Sequence, residues 1–121
     1  ERKQIGILTN NAQSPWLKQL ANVLGVLGEL TICAESMLDE EPDEDYDLII
    51  VDASGLKMDL AERVVWLNGR FPKAPIIVLT SSPTWRRARD VLQAGAADYM
   101  RRSFDDDRLL ARCRSLMNCL P

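Results

Sequence analysis

Tyr46–Ser54 reads Tyr-Asp-Leu-Ile-Ile-Val-Asp-Ala-Ser, and the fold turns on how this stretch is read. Leu48, Ile49, Ile50 and Val51 form an unbroken apolar run rich in β-branched side chains. Such a run between polar residues suits a strand covered on both faces, as in a parallel sheet between helix layers. Asp52 follows at once. In open α/β sheets the working crevice lies at the carboxyl ends of the strands. A lone carboxylate there is a candidate for chemistry, and equally a cap of the kind Asp often supplies where strands end. Both readings stand on this stretch alone.

Working outward, Gln4–Leu8 predicts a first strand, ending at Thr9-Asn10-Asn11. Ser14-Pro15 is a helix-start signal, an N-cap followed by proline at the first helical position. Leu17, Leu20, Ala21, Leu24 and Leu27 then fall at helical spacing, with Gly28 placed to end the helix. Leu30–Ala34 predicts a second strand. From Glu35 to Asp47 there are eight acids and no base. Their self-repulsion predicts a solvated loop with at most a short helix.

Downstream, Asp59 can cap a helix carrying Leu60, Val64 and Leu67 on one face and stopping near Asn68-Gly69. Pro75–Thr80 predicts a buried strand. Ser82-Pro83 repeats the helix-start signal, with Trp85, Ala88, Val91 and Leu92 as the apolar stripe up to Gly95. Ala97–Met100 predicts a fifth strand. Asp105-Asp106-Asp107 open a last helix, their charge favourable at its N-terminal dipole. Its buried face is predicted to be Leu109, Leu110, Cys113, Leu116 and Met117. Strand and helix alternate about five times with short connections. That pattern predicts an α/β fold of three αβα layers, a five-stranded parallel sheet with helices on both faces.

At 121 residues this is one domain over 1–121, long enough for a full core. The chain begins at Glu1 without a methionine, which points to a piece cut from a longer polypeptide. No apolar run approaches the roughly 20 residues of a membrane span. Three cysteines, Cys33, Cys113 and Cys119, in apolar or helical contexts suit reduced thiols in a cytoplasm. The absence of histidine removes the commonest general base and metal ligand. Between Thr84 and Arg114 eight arginines alternate with five aspartates. Interleaved acids point Arg86, Arg87, Arg89, Arg101 and Arg102 toward protein rather than nucleic acid. Trp16, Trp66 and Trp85 suit helix-face packing.

Several ordered signals now converge. Asp52 ends the third strand, Met58-Asp59 precedes the third helix, and Thr80 ends Ile-Ile-Val-Leu-Thr. Ala94-Gly95-Ala96-Ala97-Asp98-Tyr99 leads into the fifth strand. Over nearly its whole length the chain resembles the response-regulator receiver domain of two-component signalling. The resemblance implies the flavodoxin-like strand order 2-1-3-4-5. It implies that Asp52 takes a phosphoryl group from a histidine kinase, as nucleophile toward phosphorus. It also implies a divalent cation on hard oxygen ligands, with Asp52, Asn10 and the Ser54 carbonyl in the ligand positions. Thr80 and a cation would hold the phosphoryl oxygens, and Thr80 and Tyr99 would form the switch.

Two departures bear on that chemistry. Where the family carries an acidic pair after the first strand, this chain has Thr9-Asn10-Asn11. Where it carries Lys-Pro after the fifth, this chain has Arg102-Ser103. Amides and a hydroxyl lack the charge that holds Mg²⁺, and a guanidinium is not a compact ammonium. The expectation is a pseudo-receiver, not an enzyme, with no cofactor and a weak or absent Mg²⁺ site. Asp52 would then be hydrogen-bonded to Thr80, Arg102 or loop amides, and output would pass through protein contacts. Its partners would be a histidine kinase or another signalling protein, and a second copy bound weakly through the fourth and fifth helices. The alternatives are a working phosphoacceptor at Asp52 and, in a different class, a flavodoxin-like small-molecule binder.

Overall fold

The computed structural model of the chain describes residues 3–40, 45–102 and 106–117. The central apolar run becomes β3, Leu48–Asp52, and every residue of it is buried. It sits in the middle of a five-stranded parallel sheet ordered β2-β1-β3-β4-β5. The other strands are β1 (Lys3–Leu8), β2 (Gly28–Cys33), β4 (Ile76–Thr80) and β5 (Asp98–Arg101). In register, Ile50 lies opposite Ile7 of β1 and Ile77 of β4. The helices are α1 (Pro15–Leu24), α2 (Leu60–Arg70), α3 (Trp85–Ala94) and α4 (Asp106–Met117). A 3₁₀ helix, Glu35–Glu40, stands between β2 and β3.

Successive side chains of a strand point to opposite faces, so each buried strand serves two cores. On one face α1 and α4 press Leu17, Leu24, Leu109 and Cys113 onto Ile5, Ile7, Leu48 and Ile50. On the other, α2, the 3₁₀ segment and Val91 of α3 cover Leu8, Ile49, Val51 and Val78. Each fully buried Ile or Leu contributes roughly 1.5–3 kcal/mol. These are the expected three layers in the expected strand order.

Several boundaries move, each for a local reason. α1 ends at Leu24, capped by the Gly25 amide donating to the Ala21 carbonyl. Gly28 instead opens β2, where a Cβ would lie 2.3 Å from the Lys3 carbonyl oxygen. α2 runs through Asn68-Gly69 to Arg70, because Phe71 rather than Gly69 turns the chain into the core. Thr84, not Ser82, caps α3, its side chain accepting from the Arg87 amide. The apolar stripe expected on α3 buries only Val91 fully. Trp85 is 78% exposed and Leu92 47% exposed. α3 lies beside β5, a short edge strand that is itself only half-buried, so little sheet surface is left for it to cover.

The acidic run holds no α-helix among its described residues, in line with its repulsion. Leu38 is buried, and Tyr46 lies against Gly6, whose Cβ would stand 3.2 Å from the ring. Glu41–Glu44 and Asp105 lie outside the described residues. No helix among the described residues is long and apolar enough to cross a membrane.

Candidate functional site

The parallel sheet brings the ends of β1, β3, β4 and β5 to one edge, and β3 delivers Asp52 there at 0% exposure. One carboxylate oxygen of Asp52 accepts from the Thr9 hydroxyl at 2.8 Å. The other accepts from the Ser54 amide at 3.0 Å. Thr9 is also buried, and its oxygen in turn accepts from the Asn11 amide at 3.0 Å. Of the alternative partners named for Asp52, which were Thr80, Arg102 or loop amides, the structure places a loop amide on it and turns Thr80 and Arg102 elsewhere. Thr80 turns its hydroxyl to the Ser82 amide, from which it accepts at 3.2 Å, and so closes its own strand end. Arg102 donates to the Ser54 hydroxyl at 2.8 Å and lays its guanidinium 3.8 Å from the Trp16 ring centroid. A guanidinium stacks well on an indole face, and that stack draws Arg102 toward α1. Tyr99, half-buried, accepts from the Thr84 amide at 3.4 Å, at the cap of α3.

The β1 loop reaches the β3–α2 loop through its amides. Asn10 donates through Nδ2 to the Gly55 carbonyl at 3.0 Å and to Glu35 at 2.8 Å. Its Oδ1 accepts from the Glu35 backbone amide at 3.0 Å, so the network fixes which end of the amide points where. Asn11 donates through Nδ2 to the Ser54 carbonyl at 3.0 Å.

Glu35 was expected in a solvated loop, and is buried instead. Its carboxylate accepts from the Lys57 and Met58 amides and from both Nε and an Nη of Arg63. Burial pushes its pKa up, but the bonds from Lys57, Asn10, Met58 and Arg63 outweigh that and leave it below the usual 4.5. Glu35 and Arg63 are the residues that sequence reasoning passed over. The available signal was position: Glu35 follows β2 at the same sheet edge where Asp52 ends β3.

A divalent cation asks for hard, charged oxygen ligands facing an open point. Here the Ser54 and Gly55 carbonyls accept from amide N–H groups, and Asp52 accepts two hydrogen bonds. The Glu35 charge is held by Arg63 at 3.0 Å. Among the described residues no three His, Cys, Asp or Glu converge on one point. This donor set does not fit Mg²⁺.

Residues 11–114 match the family model of the response regulator receiver domain. The chain belongs to the response regulator receiver family. Over 43 residues it is 42% identical to the transcriptional regulatory protein PhoP of Escherichia coli K12, and equally to the virulence transcriptional regulatory protein PhoP of Shigella flexneri. That stretch is 36% of this chain and 19% of either PhoP. Among solved structures, the CheY-like receiver protein of Methanospirillum hungatei overlays with a TM-score of 0.83 at 20% identity, covering 98% of this chain and 95% of that one. The response regulator DrrB of Thermotoga maritima gives 0.81 at 21% identity, over 98% of this chain and 54% of that one. At such identities the likeness shows the fold. The chain is thus a receiver domain of two-component signalling, and receiver domains are signalling modules.

Proposed function

We propose that this receiver domain signals through protein contacts and without Mg²⁺-dependent phosphorylation of Asp52. The carrying observation is the set of bonds from Thr9, Asn10 and Asn11 to Asp52, Gly55 and Ser54. A phosphoryl transfer at Asp52 would need one carboxylate oxygen free for in-line attack and a cation to hold the developing charge. Each Asp52 oxygen accepts one hydrogen bond and keeps a lone pair, so the part that is lacking is the cation: the β1 loop offers neutral donors where charge is required. Intact-mass measurement after incubation with Mg²⁺ and a small acyl-phosphate donor tests this. No added phosphoryl group is expected; a stable adduct lost in Asp52→Asn would overturn it.

The partner on this reading is a histidine kinase or another signalling protein, with an output domain in the same polypeptide and a cytoplasmic location. A flavodoxin-like cofactor is disfavoured because the loops after β1 and β3 carry no glycine-rich phosphate cradle. Self-association would use α3 and α4, the fourth and fifth helices in the sequence count. Arg86, Arg87 and Asp90 of α3 are exposed as expected. Arg112 of α4, however, is tied to Asp98 at 2.9 Å within the chain. The remaining exposed pairs are worth only about 0–1 kcal/mol each, so a dimer should be weak and dissolve in salt. Sedimentation at low and high salt tests it, and a chain monomeric at high concentration in low salt ends the idea.

A further inference from the structure

We propose that Glu35, Arg63 and Asn10 form a permanent clasp on the β3–α2 loop, residues 53–59, fixing its shape without a bound cation. This deepens the metal-independent reading above and is tested separately from it. The loop must adopt a specific path, since Gly55 sits at φ 74°, in the region that favours glycine. Five of its backbone groups are taken by side chains from outside the loop or from the end of β3. The Ser54 amide donates to Asp52. The Ser54 and Gly55 carbonyls accept from Asn11 and Asn10. The Lys57 and Met58 amides donate to Glu35 at 2.6 and 3.3 Å.

The clasp joins three parts of the fold that the chain connects only distantly. Asn10 follows β1, Glu35 follows β2, and Arg63 lies on the buried side of α2. Glu35 and Arg63 side chains are only 6% and 10% exposed. Burying one such charge alone would be costly; here Nη2 and Nε of Arg63 both reach Oε2 of Glu35, at 3.0 and 3.1 Å, while Oε1 accepts from Asn10 and the Lys57 amide. The guanidinium carbon of Arg63 lies 5.4 Å from the Trp66 ring centroid, a cation–π contact that helps to hold it in place. In a metal-dependent receiver a cation would gather the β1 and β3 loops; here a guanidinium and two amides do so through one carboxylate. The loop and the start of α2, capped by Asp59 accepting from Glu62, are then presented to partners in one shape at all times.

Hydrogen exchange read at the Lys57 and Met58 amides tests the clasp. In the wild-type chain both should be protected, and millimolar Mg²⁺ should leave that protection unchanged. Glu35→Ala should speed their exchange roughly tenfold or more, with the amides of β3 and β4 unaltered. Because Glu35→Ala strands a buried guanidinium, Glu35→Ala combined with Arg63→Leu removes both charges and should give the same local acceleration in a folded chain. Unprotected amides in the wild type, protection that rises on adding Mg²⁺, or unchanged exchange in the double variant would each overturn the clasp. A phosphoryl adduct on Asp52 would instead sink the reading of the previous section and leave this exchange pattern standing.

Discussion

Asn10→Asp replaces one amide nitrogen in the site by oxygen and should be felt strongly. The amide nitrogen now donates to Glu35 at 2.8 Å and to the Gly55 carbonyl at 3.0 Å. A carboxylate there loses both bonds while keeping the one it accepts from the Glu35 amide. A hydrogen bond to a charged acceptor is worth about 1.5–3 kcal/mol and a neutral one about 0.5–1.5 kcal/mol. Two carboxylates about 4 Å apart near a protein surface repel by up to about 4 kcal/mol, a strain the pair relieves by retaining a proton. The lost bonds alone sum to about 2–4.5 kcal/mol and the repulsion adds to this, so at neutral pH the variant gives up a large part of the roughly 5–15 kcal/mol of a typical domain. On the usual scaling this lowers the melting temperature by on the order of 10 °C. Denaturant titration with and without Mg²⁺ reads it out. The variant should be weaker without the ion and regain part of the loss with it, because the new carboxylate supplies the charge that Asn10 lacks. Wild-type stability without the ion would refute the placement of Asn10 between Glu35 and Gly55.

Three further outcomes follow from the same geometry. The folded-state pKa of Glu35 lies below its unfolded value of 4.5, so its contribution is full above that pH and is lost as pH falls through the folded pKa; acid titration should show a shallower decline in Glu35→Gln than in the wild type. Asp52→Ala should fold and cost only about 1–2 kcal/mol by thermal denaturation, since the Thr9 hydroxyl and Ser54 amide lose an acceptor while a buried charge is relieved. Trp85→Ser should shift stability by less than about 0.5 kcal/mol in the same assay, because the ring is 78% exposed.

Much of the fold was legible because its strands carry strong one-dimensional signals. Leu48–Val51 and Ile76–Leu79 are apolar without interruption, as strands buried on both faces must be. α3 was misread because periodicity reports which residues share a face, not whether a neighbour covers that face; Trp85 and Leu92 share one that nothing covers fully. Gly28 was misread because a helix end and a close strand approach both favour glycine, and only the Lys3 carbonyl distinguishes them. At the site, Asp52 and the missing acids after β1 were visible by position along the chain. Glu35 was hidden inside a run of like charges, where composition says loop, yet the turn after β2 brings it to a cation 28 residues away. Long-range pairing of that kind leaves no local periodicity to read.

On the proposed reading, amide and hydroxyl donors of the β1 loop stand where a receiver's metal would be held. A Mg²⁺ titration followed by backbone and side-chain amide shifts tests it most directly, with Thr9, Asn10, Asn11, Ser54 and Gly55 as the reporting residues. These signals should hold their positions into the millimolar range, with only the small, unsaturated drift of nonspecific salt. A saturable shift centred on these residues at sub-millimolar Mg²⁺ would contradict the claim, because the hydrogen bonds from Asn10 and Asn11 to the Gly55 and Ser54 carbonyls would have to open to admit the ion.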